Sequence, residues 1–206
     1  MRVRWLFALA VAAFAGGAAA QEPGPPGFTM ERTGAENDFA YFDGGWTTVQ
    51  RRLRQRGVGS SDWEVFPGDL CATPYLAGRA TVDEIYFPSL QRAGFTLRLF
   101  DLARRQWSIY WVNSASGRLD PIPVVGGFQG NRGEFYARDQ VDGRAIKVRY
   151  LWTLIDENHA RWEQAFSYDD RTWETNWTAD FTRADAAAIC EHGQPRRSEP
   201  HAAPPR

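Results

Sequence analysis

The sequence predicts an all-β chain: an antiparallel up-and-down β-barrel of about ten strands, with a short helix before it and another after it. Two observations carry this. About ten β-like runs follow one another between residues 46 and 181. The links between them, such as LARR at 102–105, VDGR at 141–144 and DENH at 156–159, are short and polar. A parallel sheet needs crossover segments of a dozen or more residues, and these links leave no room for them. No self-similarity of about 40 residues appears, which argues against a propeller.

In chain order, the first twenty residues read as a signal peptide. Arg2 and Arg4 precede the apolar run WLFALAVAAF at 5–14, and GGAAA then supplies the small residues of a cleavage site. The run is too short to span a bilayer, and no later segment is apolar enough to do so. Residues 21–32, which begin QEPGPPGF, form a linker by composition. The segment 33–42 holds one short helix, and the barrel domain covers 33–183. The C-terminal tail, 184–206, has a second short helix over 184–192 and a Pro- and Arg-rich end expected to be disordered. This organisation predicts a periplasmic or secreted protein.

Without residues 1–20 the chain keeps 22 of its 24 basic residues against 25 acidic ones, a net charge of about −3, which argues against nucleic-acid binding. The mature chain suits one domain burying roughly 70% of its unfolded surface. Cys71 and Cys190 are the two cysteines; in an oxidising compartment they form a disulfide that pins the tail to the barrel, or else remain two buried thiols.

Alternation assigns the faces. Trp107, Ile109 and Trp111 share one face, as do Phe95, Leu97 and Leu99, and Ile146, Val148, Tyr150 and Trp152. Ser108, Thr96, Arg98, Lys147 and Arg149 fall on the opposite faces, so the expectation is apolar inside and polar outside. The stretch SYDDRTW at 167–173 resembles a shortened sialidase Asp-box, but it occurs once, and a hairpin turn explains it. An even-numbered loop pairs Tyr168 with Trp173, Phe166 with Thr175, Gln164 with Trp177 and Trp162 with Ala179, placing the large aromatics on one side. Asp169 or Asp170 then accepts bonds from turn amides.

Enzyme chemistry finds little support, and no cofactor or metal is expected. His159 lies in a turn, and His192 and His201 lie in the tail, so no strand histidine offers a triad base, a haem ligand or a metal ligand. Glu163 and Glu174 are the best glycosidase carboxylates, but the predicted register separates them by about 14 Å, beyond either catalytic spacing. Asp83 shares a face with Ile85 and Phe87 and is a candidate pocket acid, with Arg52 as a conceivable partner.

The inward aromatics Trp107, Trp111, Tyr150, Trp152, Trp162, Phe166, Trp173, Trp177 and Phe181 outline an apolar interior. Arg52, Asp83, Asn113, Gln164 and Thr175 are its polar handles. Ten strands enclose more space than eight, whose side chains just fill the lumen. The candidate ligand-binding residues are therefore Arg52, Asp83, Trp111, Asn113, Tyr150, Gln164, Thr175 and Trp177, around a small, largely apolar molecule. The alternative is a structural or protein-interaction barrel with a filled core.

GGW at 44–46 opens the first strand and resembles the G-x-W start of calycins, the lipocalin and fatty-acid-binding superfamily. FDGGWTT, LRLFD, QWSIYWVNSASGRLDP, GEFY, RWEQAFS and TWETNW also resemble a family of uncharacterised bacterial proteins with a calycin-like ten-stranded barrel, over residues 36–183. The resemblance implies that Trp46 plugs the barrel floor and that Arg183, ending the last strand, packs over it. It implies no activity. Two departures, Arg105 at a usual turn glycine and the short DDRTW turn, bear on loop geometry.

Overall fold

The computed structural model describes residues 27–197, so the expected signal peptide, the first part of the linker, His201 and the last nine residues lie outside the described part. Ten antiparallel strands close into one barrel. They are β1 (Gly44–Leu53), β2 (Trp63–Tyr75), β3 (Ala80–Phe87), β4 (Arg92–Asp101), β5 (Gln106–Asn113), β6 (Val124–Gln129), β7 (Arg132–Val141), β8 (Arg144–Leu154), β9 (His159–Ser167) and β10 (Glu174–Ala184). Each predicted run became one strand. Neighbours in sequence are neighbours in space, and β10 closes on β1 with Trp46 opposite Arg183.

The helix expected within 33–42 is not an α-helix. The segment forms turns ending in one 3₁₀ turn, Ala40–Phe42. It instead crosses the barrel end where β1 begins and ties several strand ends together. Gly34 N–H donates to the Arg105 carbonyl at the β4–β5 turn, Trp107 Nε1 to Ala35 O, and the Phe128 amide at the end of β6 to Asp38 Oδ2. Phe39 and Phe42 drive into the barrel beneath Trp107, Trp152 and Phe181. Each such ring removes about 150–250 Å² from water, or roughly 4–6 kcal/mol before the entropy of ordering. Arg105 adopts φ 54°, so this turn uses the left-handed conformation that suits glycine.

After β10 a four-residue helix, α1 (Ala186–Ile189), is N-capped by the Asp185 carboxylate accepting from Ala187 N–H. A two-strand hairpin follows, β11 (Cys190–Glu191) with β12 (Gln194–Pro195). The Cys71–Cys190 disulfide, with Cα atoms 6.0 Å apart, fixes this tail to β2. Among the described residues no helix is long and apolar enough to cross a membrane.

Two face assignments are corrected. On β4 the inward residues are Thr96 and Arg98, the latter 3% exposed, while Phe95 and Leu99 stand outside at 40% and 36%. The outward apolar residues lie beside others: Leu97 pairs with Val82 and Tyr110, and Phe95 with Val112. Cross-strand contacts of this kind stabilise an outer wall without burial in the core. On β10 the register shifts at Asn176, so Glu174 is opposite Phe166, Thr175 opposite Ala165 and Trp177 opposite Gln164. One extra residue there moves Thr175 and Trp173 off the inward face, as a β-bulge does. Trp173 packs on the outer wall against Tyr136 and under the Arg149 guanidinium.

Candidate functional site

The barrel encloses a cavity of about 650 Å³. It reaches the loops at the end opposite the N-terminal segment, where Arg54, Arg56, Leu90, Arg92, Ser114 and Asp120 line its mouth. Its base rests on the aromatic layer around Phe39, Phe42 and Trp152, which Arg98 overlies at 4.9, 5.2 and 5.9 Å.

The upper wall is built from β5, β8, β9 and β10. Trp162 and Trp111 meet Trp177 edge to face, with ring centroids 5.8 and 6.3 Å apart, and Tyr150 meets Trp162 at 5.0 Å. Trp111 fits because β4 carries Gly94 beside it; a Cβ at residue 94 would overlap the indole ring. Trp177 Nε1 donates to Gln50 Oε1 at 2.8 Å, and Gln50 Nε2 donates to Thr48 Oγ1. This chain fixes the indole's tilt while leaving its face to the cavity. Gln164 Nε2 donates to Asn176 Oδ1, so the bulge also fixes the Gln164 amide.

Charge is distributed by depth. At the base, Arg98 Nη1 donates to Asp83 Oδ2 and to Thr81 Oγ1; Asp83 is 1% exposed. Both residues line the cavity; Asp83 Oδ1 and Arg98 Nε are themselves buried and have no hydrogen-bond partner among the described residues. Near the mouth, Arg52 donates through Nε and Nη2 to Glu64 and lies 4.9 Å over Trp177. Arg56 lies 5.9 Å over both Trp177 and Phe166. Burial, and then the neighbouring Arg52 charge, lower the Arg56 pKa. Burial raises the Tyr150 phenol well above its ordinary range, with Asp120 adding to the rise, so it faces the cavity as a neutral hydroxyl.

Of the candidate residues, Arg52, Asp83, Trp111, Asn113, Tyr150, Gln164 and Trp177 all line this one cavity. Thr175 does not, because of the Asn176 shift. Asp83 pairs with Arg98 rather than with Arg52, whose carboxylate is Glu64. Arg98, Thr96, Gln50 and Arg56 were missed as lining residues. The available signal was Asp83 itself: an acid on an inward face calls for a cation on the adjoining strand, and Arg98 is the arginine in the interior of β4.

The other motifs are structural. Asp169 Oδ1 accepts from Arg171 N–H and Thr172 N–H, so SYDDRTW is turn chemistry. Glu163 faces Thr178, as expected, and Glu174 accepts from the Gly57 and Gly59 amides, holding the β1–β2 loop. His159, expected in a turn, is the exposed first residue of β9 and contacts Asp156 in the preceding turn. Among the described residues no group of three His, Cys, Asp or Glu could hold a metal ion.

Comparison with known protein families and with curated proteins finds no match. The cavity's own chemistry therefore carries the functional argument.

Proposed function

We infer that this chain is an extracytoplasmic barrel that binds one small, largely apolar ligand in its interior. The observation that carries the reading is the cavity of about 650 Å³, lined by Trp111, Tyr150, Trp162, Phe166 and Trp177 with a few fixed polar groups. Small-molecule sites occupy about 300–1,000 Å³ and combine apolar walls with sparse polar handles. A barrel with a filled core leaves no such space, so the volume favours the ligand reading. A ligand losing about 200 Å² of apolar surface gains roughly 5 kcal/mol before the costs of association.

The disulfide is consistent with export to an oxidising compartment. The Trp46–Arg183 pair matches what the calycin resemblance implies for a closed barrel floor. Native mass spectrometry of the protein purified without organic solvent tests the reading. A bound mass of a few hundred daltons, lost on denaturation, is expected. A protein that carries no adduct, and whose tryptophan emission does not change with alkyl or aromatic probes, contradicts it.

A further inference from the structure

The charges at the mouth of the cavity restrict what the polar end of a ligand can be; this inference rests on the ligand-binding reading above. Arg52 and Arg54 share the Glu64 carboxylate. Arg56 and Asp120 also line the mouth, and neither makes an ion pair among the described residues. Glu174 acts on Arg56 through space, but its two oxygens accept from the Gly57 and Gly59 amides. Asp120 Oδ1 accepts from Ile122 N–H, its one side-chain hydrogen bond among the described residues. Both Arg56 and Asp120 are exposed at the mouth, so a ligand seated there reaches them.

These two opposite charges stand at the ends of one aromatic pair. Arg56 lies 5.9 Å over Trp177, and Trp177 meets Trp111 edge to face at 6.3 Å. Asp120 N–H donates to the Trp111 carbonyl, which holds this acid beside Trp111. Tyr150 feels both charges: burial raises its phenol first, Asp120 adds to the rise and Arg56 opposes it. Arg56 and Asp120 are thus within the span of one small molecule, yet they do not pair with each other.

A carboxylate matches the planar donor fork of Arg56. Without a compensating cation it also brings negative charge toward Asp120. An ammonium pairs with Asp120 and rests on the Trp111 and Tyr150 rings, as cations do on aromatic faces. Without a compensating anion it brings positive charge toward Arg56. Opposite charges on one molecule answer both groups, whereas a single charge leaves one of them facing its like. The wall below is built from edge-to-face rings, a packing that a further aromatic ring extends.

We propose that the ligand is zwitterionic at its outer end, with a carboxylate on Arg56 and an ammonium on Asp120, and that it inserts an aromatic body along the Trp111–Trp162–Trp177 wall.

Calorimetric titration at pH 7 with L-tryptophan, tryptamine and indole-3-propionate tests this, because the three share one ring system and differ in charge. The wild-type protein binds tryptophan at least about tenfold more tightly than either of the others. Arg56→Gln cuts the advantage of tryptophan over tryptamine by at least about tenfold. Asp120→Asn, which keeps the acceptor for Ile122 N–H, cuts its advantage over indole-3-propionate by a similar factor. A singly charged probe that binds the wild type as tightly as tryptophan, or a ratio unchanged in either variant, overturns the assignment while leaving a ligand chamber standing. Failure of all three probes to bind also overturns it. Decan-1-ol then separates the two readings: its binding keeps the chamber, and its failure removes both.

Discussion

The Arg183 guanidinium lies 4.2 Å above the Trp46 indole, across the seam where β10 closes on β1. The same guanidinium donates to the carbonyls of Glu157, Asp43 and Tyr41, while Trp46 Nε1 donates to Phe42 O. One side chain thus joins the last strand, the first strand and the segment that floors the barrel.

Arg183→Ala removes a cation–π contact and leaves three carbonyls without this donor. It is expected to cost about 2–4 kcal/mol in urea unfolding. Arg183→Lys recovers only part of this, because an ammonium lacks the planar fork that reaches three acceptors. A loss below about 0.5 kcal/mol for the alanine variant would show that the seam does not depend on this contact.

The disulfide closes a loop of 119 residues in sequence separation. Cys71→Ser/Cys190→Ser is expected to lose about 2–5 kcal/mol of stability. Amide exchange should accelerate first in 185–197, because the tail then keeps only non-covalent contacts to the barrel, such as Arg197 with Glu84 and over Tyr86. Exchange that speeds equally across the barrel strands would contradict a local role.

Asp169 predicts a pH effect in the β9–β10 turn. Hydrogen bonds from the Thr172 and Arg171 amides hold its carboxyl down to about 2. A folded-state pKa below the unfolded value means that this contribution is fully present above about pH 4 and is lost as pH falls through about 2. Carboxyl titration by NMR should show Asp169 as a low outlier. Asp169→Asn should flatten the acid limb of the stability curve, and an ordinary Asp169 titration would contradict the turn geometry.

The ten-strand barrel was legible because its links are short and polar and because alternation on β5, β8 and β9 is clean. Trp107, Ile109 and Trp111 face inward as alternation requires. The same rule failed on β4, where Phe95 and Leu99 face outward so that Thr96 and Arg98 can serve the interior. Alternation identifies two faces but not which is inside; there the decision belonged to the buried acid on β3. On β10 the Asn176 shift displaced Thr175 and Trp173, and nothing in the local residue pattern marks that extra residue. The N-terminal plug was hidden for another reason. Phe39 and Phe42 look like part of a short helix, yet their place is set by tertiary packing against Trp107, Trp152 and Phe181.

The central claim is that the barrel's interior space receives a ligand. Calorimetric titration of decan-1-ol into the wild type and into Ile109→Trp, which places a large ring inside the cavity, tests it most directly. The account predicts saturable one-to-one binding with a negative heat-capacity change in the wild type, and at least about tenfold weaker binding in the filled variant. Absence of binding to the wild type, or undiminished binding to a folded Ile109→Trp, would contradict it.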